Sequence, residues 1–492
     1  MLIPLEIPPG VYKNGTDFES SNRWLDSNLV RWHDGSLRPV GGWDTRKANA
    51  AASVPRGMHS WVDNSNGSAL AIGTHNKLLY LNASSTVTDI TPSSGFTSGD
   101  VNATLNVAFG GGFWNTGFYG ITRPSSGTYQ EATTWALDNF GQNLIACSSK
   151  DGKLWQWTLN VNNNAVVLAN APVGNLSMVV TEERFIFALG AGGNPRKVQW
   201  CDREANTVWS PAATNEAGDF ELVTNGQIMC GLRMRGRTLI LTDTDAHVAT
   251  YSGAPFVYGF ERVGTACGVA SRKAAVAIDQ GAFWLGANGF FVFDGSVATE
   301  LQCDVHDLVF NNISNSQISK AFAVHNSQHS EIWWFYTSEN STENDRYVTY
   351  DYKENHWAVG ELDRTAGVDS GIFDFPIWAD AGGDLYNHEY GLDHDSHKPY
   401  AETGSISLGN GDQIMRVTKL IPDELTQGDV KVTFKTRFHP NDTETVHGSF
   451  TMSNPTAVRF SGRQLRYRVE GDKLTNWRSG IMRIEATPGG GR

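Results

Sequence analysis

Residues 281–295 read GAFWLGANGFFVFDG: an apolar run, a Gly-Ala-Asn-Gly break, then a second short run rich in aromatics. Two strand-length runs around such a break form a hairpin, because neither run has the length or the 3.6-residue period of a helix. The plan recurs at 68–82 (SALAIGTHNKLLYLN), 142–157 (QNLIACSSKDGKLWQW), 184–200 (RFIFALGAGGNPRKVQW), 237–251 (RTLILTDTDAHVATY), 330–352 (SEIWWFYTSENSTENDRYVTYDY) and 375–391 (FPIWADAGGDLYNHEYG). The aromatics closing the seven hairpins, Tyr80, Trp155, Trp200, Tyr251, Phe293, Tyr350 and Tyr386, are 75, 45, 51, 42, 57 and 36 residues apart. Apart from the first gap, this is near the period of a four-stranded propeller blade, whose aromatic faces must stack on neighbours to be buried. The expected fold is all-β: a multibladed β-propeller of six to eight blades followed by a small C-terminal β-sandwich. The competing reading is a run of unrelated hairpins in sandwiches. Helical pattern is confined to DVHDLVFNNI at 304–313.

The long first gap holds an insertion at about 83–132 whose centre, FGGGFWNTGFYG, alternates glycine with Phe113, Trp114, Phe118 and Tyr119. Glycines permit tight turning and the aromatics need a covering surface, so the segment is expected either to fold over the propeller or to leave its rim as a gate or tip loop. After the last hairpin, GLDHDSHKPYAETGSISLGNGDQ reads as a polar linker, and beyond it the strands alternate cleanly. In RQLRYRVEG, Leu465, Tyr467 and Val469 share one face while Arg466 and Arg468 share the other, predicting a sandwich with a basic outer face. The resulting division is an N-terminal arm and aromatic hairpin at 1–57, propeller at 58–391, linker at 392–411 and sandwich at 412–492.

The chain has 492 residues, 51 of them Gly and 16 Trp, with only 18% charged, a composition suited to turn-rich, aromatic-cored β-structure. Residues 401–492 hold 13 Lys/Arg against 10 Asp/Glu, leaving 26 against 42 in residues 1–400, so a body of −16 precedes a tail of +3. An acidic body opposes tight binding to phosphate backbones and suits a surface that DNA passes without sticking. The five cysteines, Cys147, Cys201, Cys230, Cys267 and Cys303, are odd in number, widely spaced and set in apolar runs, as expected of reduced packing residues made in a cytosol. Neither a basic leader with a long apolar core nor a run of 18 apolar residues is present, so Sec-type export and membrane insertion are not expected.

The richest cluster of ligand-type residues is NHEYGLDHDSHKP, with His388, Glu389, Asp393, His394, Asp395 and His397. A metal would need several of these to converge, and a solvated loop is the expected alternative. CDVHD at 303–307 offers one Cys and one His. The phrase SSKDGKLW at 148–155 approaches the Asp-box of propeller glycosidases, but its glycine falls one place early and it has no second copy. Asp138, Asp243, Asp245 and Asp279 read as turn residues rather than as a catalytic pair. With no GxSxG, HExxH or GxxxxGK[ST] motif, the chain is expected to be no enzyme, with no catalytic residue, cofactor or metal.

At 22–44 the chain reads NRWLDSNLVRWHDGSLRPVGGWD. The Asp34-Gly35 pair predicts a tight hairpin that sets Trp32 opposite Leu37, with Arg31 and Arg38 fanning outward. Trp24, Arg31, Trp32, Arg38 and Trp43 are therefore candidate intersubunit or adaptor contacts, the alternative being that the tryptophans close the propeller core.

This stretch, together with VTEERFIFALGAGGNPRKVQWCDREANTVWSP, DAHVATYSGAPFVYGFERVG, AFWLGANGFFVFDG and YDYKENHWAVGEL, resembles structural proteins of tailed bacteriophages. The chain plan is similar to the tail-nozzle proteins (tubular tail protein B, or head-stabilisation proteins) of short-tailed phages, from about residue 5 to the C-terminal MRIEATPGGGR. The resemblance implies a virion subunit, synthesised in host cytoplasm, that forms a hexamer below the portal and adaptor rings. It also implies tail fibre or spike proteins as neighbours, a possible host-envelope contact, and genomic DNA passing through the ring without tight binding. A receptor- or glycan-binding tail protein is the alternative reading, and a propeller glycoside hydrolase a remote one.

Overall fold

The computed structural model describes residues 1–489 apart from 17, 107–127, 409–412, 426 and 441. Each of the seven hairpins forms the middle two strands of a four-stranded antiparallel sheet, and the seven sheets are the blades of a propeller. In GAFWLGANGFFVFDG, strands Gly281–Leu285 and Phe290–Phe293 pair with Ala282 opposite Phe293. They are flanked by an inner strand, Ala275–Ile278, and an outer one, Ala298–Leu301. The inner strands of blades 1 to 7, Pro55–Val62, Trp135–Phe140, Ser177–Val180, Ile228–Met234, Ala275–Ile278, Phe322–Asn326 and Ala366–Val368, touch one another in a closed ring.

Aromatic and aliphatic residues fill the wedges between blades, as a sheet with two apolar faces requires. Trp61, Trp135 and Trp155 meet between blades 1 and 2. Phe187, Ile240 and Tyr258 meet between blades 3 and 4, and Trp333, Tyr347 and Trp378 between blades 6 and 7. A fully buried side chain of this size stabilises by about 1.5–3 kcal/mol relative to its exposed state.

Blade 7 takes its outer strand from the other end of the chain: Trp43–Lys47 pairs with Leu385–His388, His388 standing opposite Trp43. Ring closure is thus a long-range pairing. Two further N-terminal strands enter the C-terminal sandwich. Leu2–Leu5 edges the sheet formed by Met482–Pro488, Met415–Ile421 and Thr456–Gly462. Trp24–Asn28 edges the second sheet, running on through Tyr400–Thr403, Gln464–Gly471, Val430–Arg437 and Thr445–Thr451.

The division drawn from sequence changes accordingly. Residues 1–57 are no separate arm: they supply strands to the sandwich, to blade 7 and to blade 1. Nor are residues 392–411 simply a linker, since Tyr400–Thr403 and Ile406–Ser407 both pair with Gln464–Gly471. A polar, glycine-rich segment looked unstructured because its partners lie far away in sequence. The short helix His306–Phe310 lies within the single helical pattern read from sequence.

Candidate functional site

The Asp34-Gly35 turn has positive φ at both residues, 49° and 75°, the geometry that matches the right-handed twist of flanking strands. Strands Val30–His33 and Ser36–Pro39 pair in the register the turn dictates, Trp32 opposite Leu37. Both tryptophans before the turn are buried: Trp24 and Trp32 lie 5.9 Å apart, with Tyr467 of the sandwich edge-on to Trp24 and His356 of blade 6 edge-on to Trp32. Leu37 and Ser479 exchange two backbone hydrogen bonds of 3.0 Å, fastening the hairpin to the sandwich.

Arg31 does not fan outward. Its Nε and Nη2 donate to the two oxygens of Glu331 at 2.8 and 2.9 Å, and its Nη1 and Nη2 donate to Glu389 at 3.0 and 2.5 Å. Burial by itself would lower the Arg31 pKa, but the Glu331 and Glu389 charges outweigh it and drive the pKa above the ordinary arginine value. Burial would raise the Glu389 carboxyl, yet the Arg31 charge holds it well below the usual range.

Trp43 closes the same seam. Its Nε1 donates to Asp395 at 2.7 Å, and the Arg364 guanidinium lies over its ring and over that of Tyr386. Of the five candidate interface residues, Trp24, Arg31, Trp32 and Trp43 are buried within one chain, and Arg38 is half-buried. Trp24 and Trp32 join the sandwich to blade 6, Arg31 ties the hairpin to blades 6 and 7, and Trp43 packs on blade 7 and the segment that follows it, so these four are covered within one chain. Aromatics and arginines serve a domain boundary for the same reason they serve a subunit boundary, which is why composition could not separate the two.

In the histidine-rich segment His388, Glu389 and His394 are packed, His397 is half-buried, and Asp393 and Asp395 are exposed. His388 stacks on Trp378 at 4.0 Å and accepts from Arg364 Nε at 2.9 Å, while His394 Nε2 lies 2.9 Å from the Val40 carbonyl. Burial, then the Arg364 charge, pushes the His388 pKa well below its ordinary value, so this imidazole is neutral and acts as an acceptor. Among the described residues one group, His33, Asp34 and Glu354, has three ligand atoms in mutual reach, with His33 and Asp34 exposed at the hairpin tip and Glu354 half-buried in blade 6.

In the sandwich, Leu465, Tyr467 and Val469 are buried as the alternation requires. The opposite face is not a free basic surface. Arg466 pairs with Glu444 at 2.8 Å, Arg468 with Glu470 at 3.2 Å, and Lys435 with Glu402 at 2.6 Å, while Arg468 lies 3.4 Å over the Tyr400 ring. Glu470 lies on the same strand, two residues beyond Arg468, whereas Glu444 and Glu402 come from other segments that a single-strand pattern does not include.

Phe113, Trp114, Phe118 and Tyr119 lie outside the described residues. Just ahead of them, Asn102 Oδ1 accepts from Lys320 Nζ at 2.6 Å, and Val101 O accepts from Arg56 at 3.1 Å.

The axis itself was missed in sequence. Two chambers lie along it, of about 340 and 140 Å3, sharing Met58, Thr134, Lys273 and Ala275 as walls. Asp138, read from sequence as a turn residue, lies on the inner strand of blade 2 and lines the larger chamber. Its Oδ2 accepts from Val180 N at 3.0 Å and its Oδ1 lies 3.5 Å from Arg233. Asp245 is buried too, accepting from Thr242 and Thr224 hydroxyls at 2.5 and 2.9 Å, whereas Asp243 and Asp279 lie in exposed loops. In the Asp-box-like phrase, Asp151 accepts from Trp155 Nε1 at 2.9 Å, which fixes the turn between two strands of blade 2.

All five cysteines are free thiols; burial pushes Cys147, Cys201, Cys230 and Cys303 up to about 12 and Cys267 to about 11.

No family model and no curated protein matches the chain. Similar solved structures include virginiamycin B lyase from Staphylococcus aureus, at 9% identity over 70% of this chain and 98% of that one, TM-score 0.43. The Neurospora crassa Pan2 WD40 domain is 10% identical over 72% of this chain and 95% of that one, TM-score 0.39. The Nup159 N-terminal domain is 10% identical over 75% and 98%, TM-score 0.37. Likeness at this level carries no argument about activity, and the propeller assignment rests on the blades' own pairing.

Proposed function

We propose that the chain is a virion structural protein: a tail-nozzle subunit that assembles into a ring, sixfold as its resemblance implies, and retains and then passes the phage genome. The observation that carries this reading is the way the chain is sewn together. Two N-terminal strands lie inside the sandwich and a third closes the propeller, so the halves separate only by rupture of strand pairs. A subunit that holds packed DNA carries force across its body, and such crossings resist it. The acidic first 400 residues, 26 Lys/Arg against 42 Asp/Glu, support the same reading, since a passage for DNA must repel phosphate rather than hold it.

The duplex would pass between subunits at the ring centre. The propeller's own axial chambers, of about 340 and 140 Å3, are no larger than a small-molecule pocket and cannot admit a helix whose major groove alone is about 12 Å wide. In this reading the protein is no enzyme, and its buried carboxylates Asp138 and Asp245 are committed to structural donors.

Electron microscopy of the purified protein, alone and with its adaptor ring, tests the proposal. Sixfold rings with an open centre are expected. A protein that stays monomeric in both conditions, or that binds duplex DNA with submicromolar affinity at about 150 mM salt, counts against it.

One observation favours the receptor- or glycan-binding alternative. The long hairpin of blade 4, Asp245–Gly253 with Val257–Thr265, carries Phe256 at its tip with 81% of its surface exposed. A glycan-array signal lost on Phe256→Ala would move the assignment to that class.

A further inference from the structure

Lys273, just before the inner strand of blade 5, reaches across the propeller axis: its Cε lies 3.4 Å from the point where a Cβ on Gly57, in the inner strand of blade 1, would stand. The two chambers meet at this side chain. Among the described residues the Lys273 ammonium makes no hydrogen bond and no ion pair.

The smaller chamber is unusual in its charge. Its walls carry three cations, Arg56, Lys273 and Lys320, together with Thr134 and Thr365, and no carboxylate. The nearby acid, Glu343, is already shared: it accepts from Arg56 at 2.7 and 2.6 Å and lies 3.6 Å from Lys320. Around the smaller chamber three positive charges therefore face one negative charge, while Asp138, the other acid that acts on Lys273, lies in the larger chamber and is paired with Arg233 at 3.5 Å. Two donors are left over, the unpaired Lys273 ammonium and the Arg56 Nε buried without an acceptor, while Lys320 Nζ already donates to Asn102 and Thr342 and contributes its charge. A cationic, donor-rich chamber is complementary to a group that only accepts hydrogen bonds and carries more than one negative charge. The larger chamber does not have this character, because Asp138 lines it.

We propose that the smaller axial chamber is a binding site for a compact phosphate-type dianion, held by Lys273 from one side and by the Arg56–Lys320 pair from the other. At about 140 Å3 it is well above the roughly 10–15 Å3 that one water needs and has room for a single tetrahedral oxyanion. The dianion neutralises the excess charge on the axis and ties Lys273 of blade 5 across to Arg56 of blade 1, adding to the direct Arg56–Glu343 contact between blades 1 and 6. The site belongs to a single chain and does not depend on assembly into a ring.

The test is calorimetric and thermal-shift titration of the full chain with inorganic phosphate and, separately, with glycerol 3-phosphate, at ionic strength held constant with chloride. Saturable binding is expected, with a rise in melting temperature. Tighter binding of the free ion or of the ester identifies which source of phosphate the site takes.

Lys273→Met is expected to weaken binding at least tenfold while leaving the ligand-free melting temperature unchanged or higher, since it removes an unpaired cation. Ala366→Val, which narrows the chamber from blade 7, is expected to weaken binding and keeps the test decisive if the lysine variant does not fold. Absence of saturable binding by the wild-type chain, or wild-type affinity in either variant, overturns the proposal.

Discussion

Arg31 and Glu389 are 358 residues apart in the chain and share two hydrogen bonds, 3.0 and 2.5 Å long, in a buried seam. Glu331 of blade 6 holds the other edge of the same guanidinium. One cation between two carboxylates ties the N-terminal hairpin to blades 6 and 7, and the cluster works only while the cation is present.

Arg31→Met leaves Glu331 and Glu389 buried against each other and should cost about 3–5 kcal/mol in urea unfolding. Glu389→Gln keeps the Glu331 pair and an amide oxygen as acceptor, and should cost about 1–2 kcal/mol. The pH dependence has opposite signs in wild type and Arg31→Met. The Glu389 pKa is depressed in the folded wild type, so its contribution is present above the ordinary carboxylate range and lost as pH falls through the depressed value. Without Arg31, burial raises that carboxyl, and the variant should recover part of its deficit between pH 7 and 5. Unfolding curves that remain parallel over this range would show that the ion pairs are not the source of the loss.

A protease site inserted at 409–412 should yield two fragments that co-migrate under native conditions. The N-terminal fragment keeps Leu2–Leu5 and Trp24–Asn28 paired into sheets completed by the C-terminal one. Separation of the fragments without denaturant, read by size-exclusion chromatography, would refute the sewn topology as the source of cohesion.

Trp43→Ala should cost about 3–5 kcal/mol, because it removes a buried ring from the strand that closes blade 7 and takes the donor from Asp395. The effect should be local. Hydrogen exchange should accelerate first in 43–47 and 385–388, whereas Trp43→Phe should keep most of the protection. Uniform acceleration across all blades would mean that the ring opens as one unit and that this strand is no weak seam.

The repeated hairpins were legible because the middle strands of each blade are apolar on both faces and end in bulky aromatics such as Trp157, Phe293 and Tyr350. Inner strands such as Ala275–Ile278 and Ala366–Val368 are short and rich in small residues, since they crowd around a narrow axis. Outer strands such as Val166–Val167 are too short to give a pattern. The Asp34-Gly35 turn fixed a local register, and that register is observed. What Arg31, Trp43 and His388 face was not legible, because each finds its partner through pairings more than 20 residues distant. Lys273 gave no signal either: one lysine in SRKAAVAI looks like a surface charge until the ring places it on the axis.

The last prediction separates one buried lysine from the rest of the chain by the sign of its pH dependence. Burial, then the neighbouring Arg56 charge, pushes Lys320 down to about 8 from an ordinary value of 10.5. Between these values the unfolded chain binds more protons at this site than the folded one, so this group makes stability rise with pH. The cysteines act in the opposite sense. Their folded values lie at about 11 to 12 against an ordinary 9.0, so the stability they confer is complete below 9 and declines as pH rises above it. Five thiols outweigh one ammonium, and the wild-type chain should therefore lose stability above pH 9. The difference between wild type and Lys320→Met cancels the thiols, which both proteins share. That difference should shift toward the wild type between pH 7.5 and 9.5, as Lys320 sheds its proton and keeps its hydrogen bonds to Asn102 and Thr342. Urea unfolding at the two pH values measures it. A difference that does not change with pH would show that Lys320 remains charged throughout, held by Glu343 more strongly than burial opposes it.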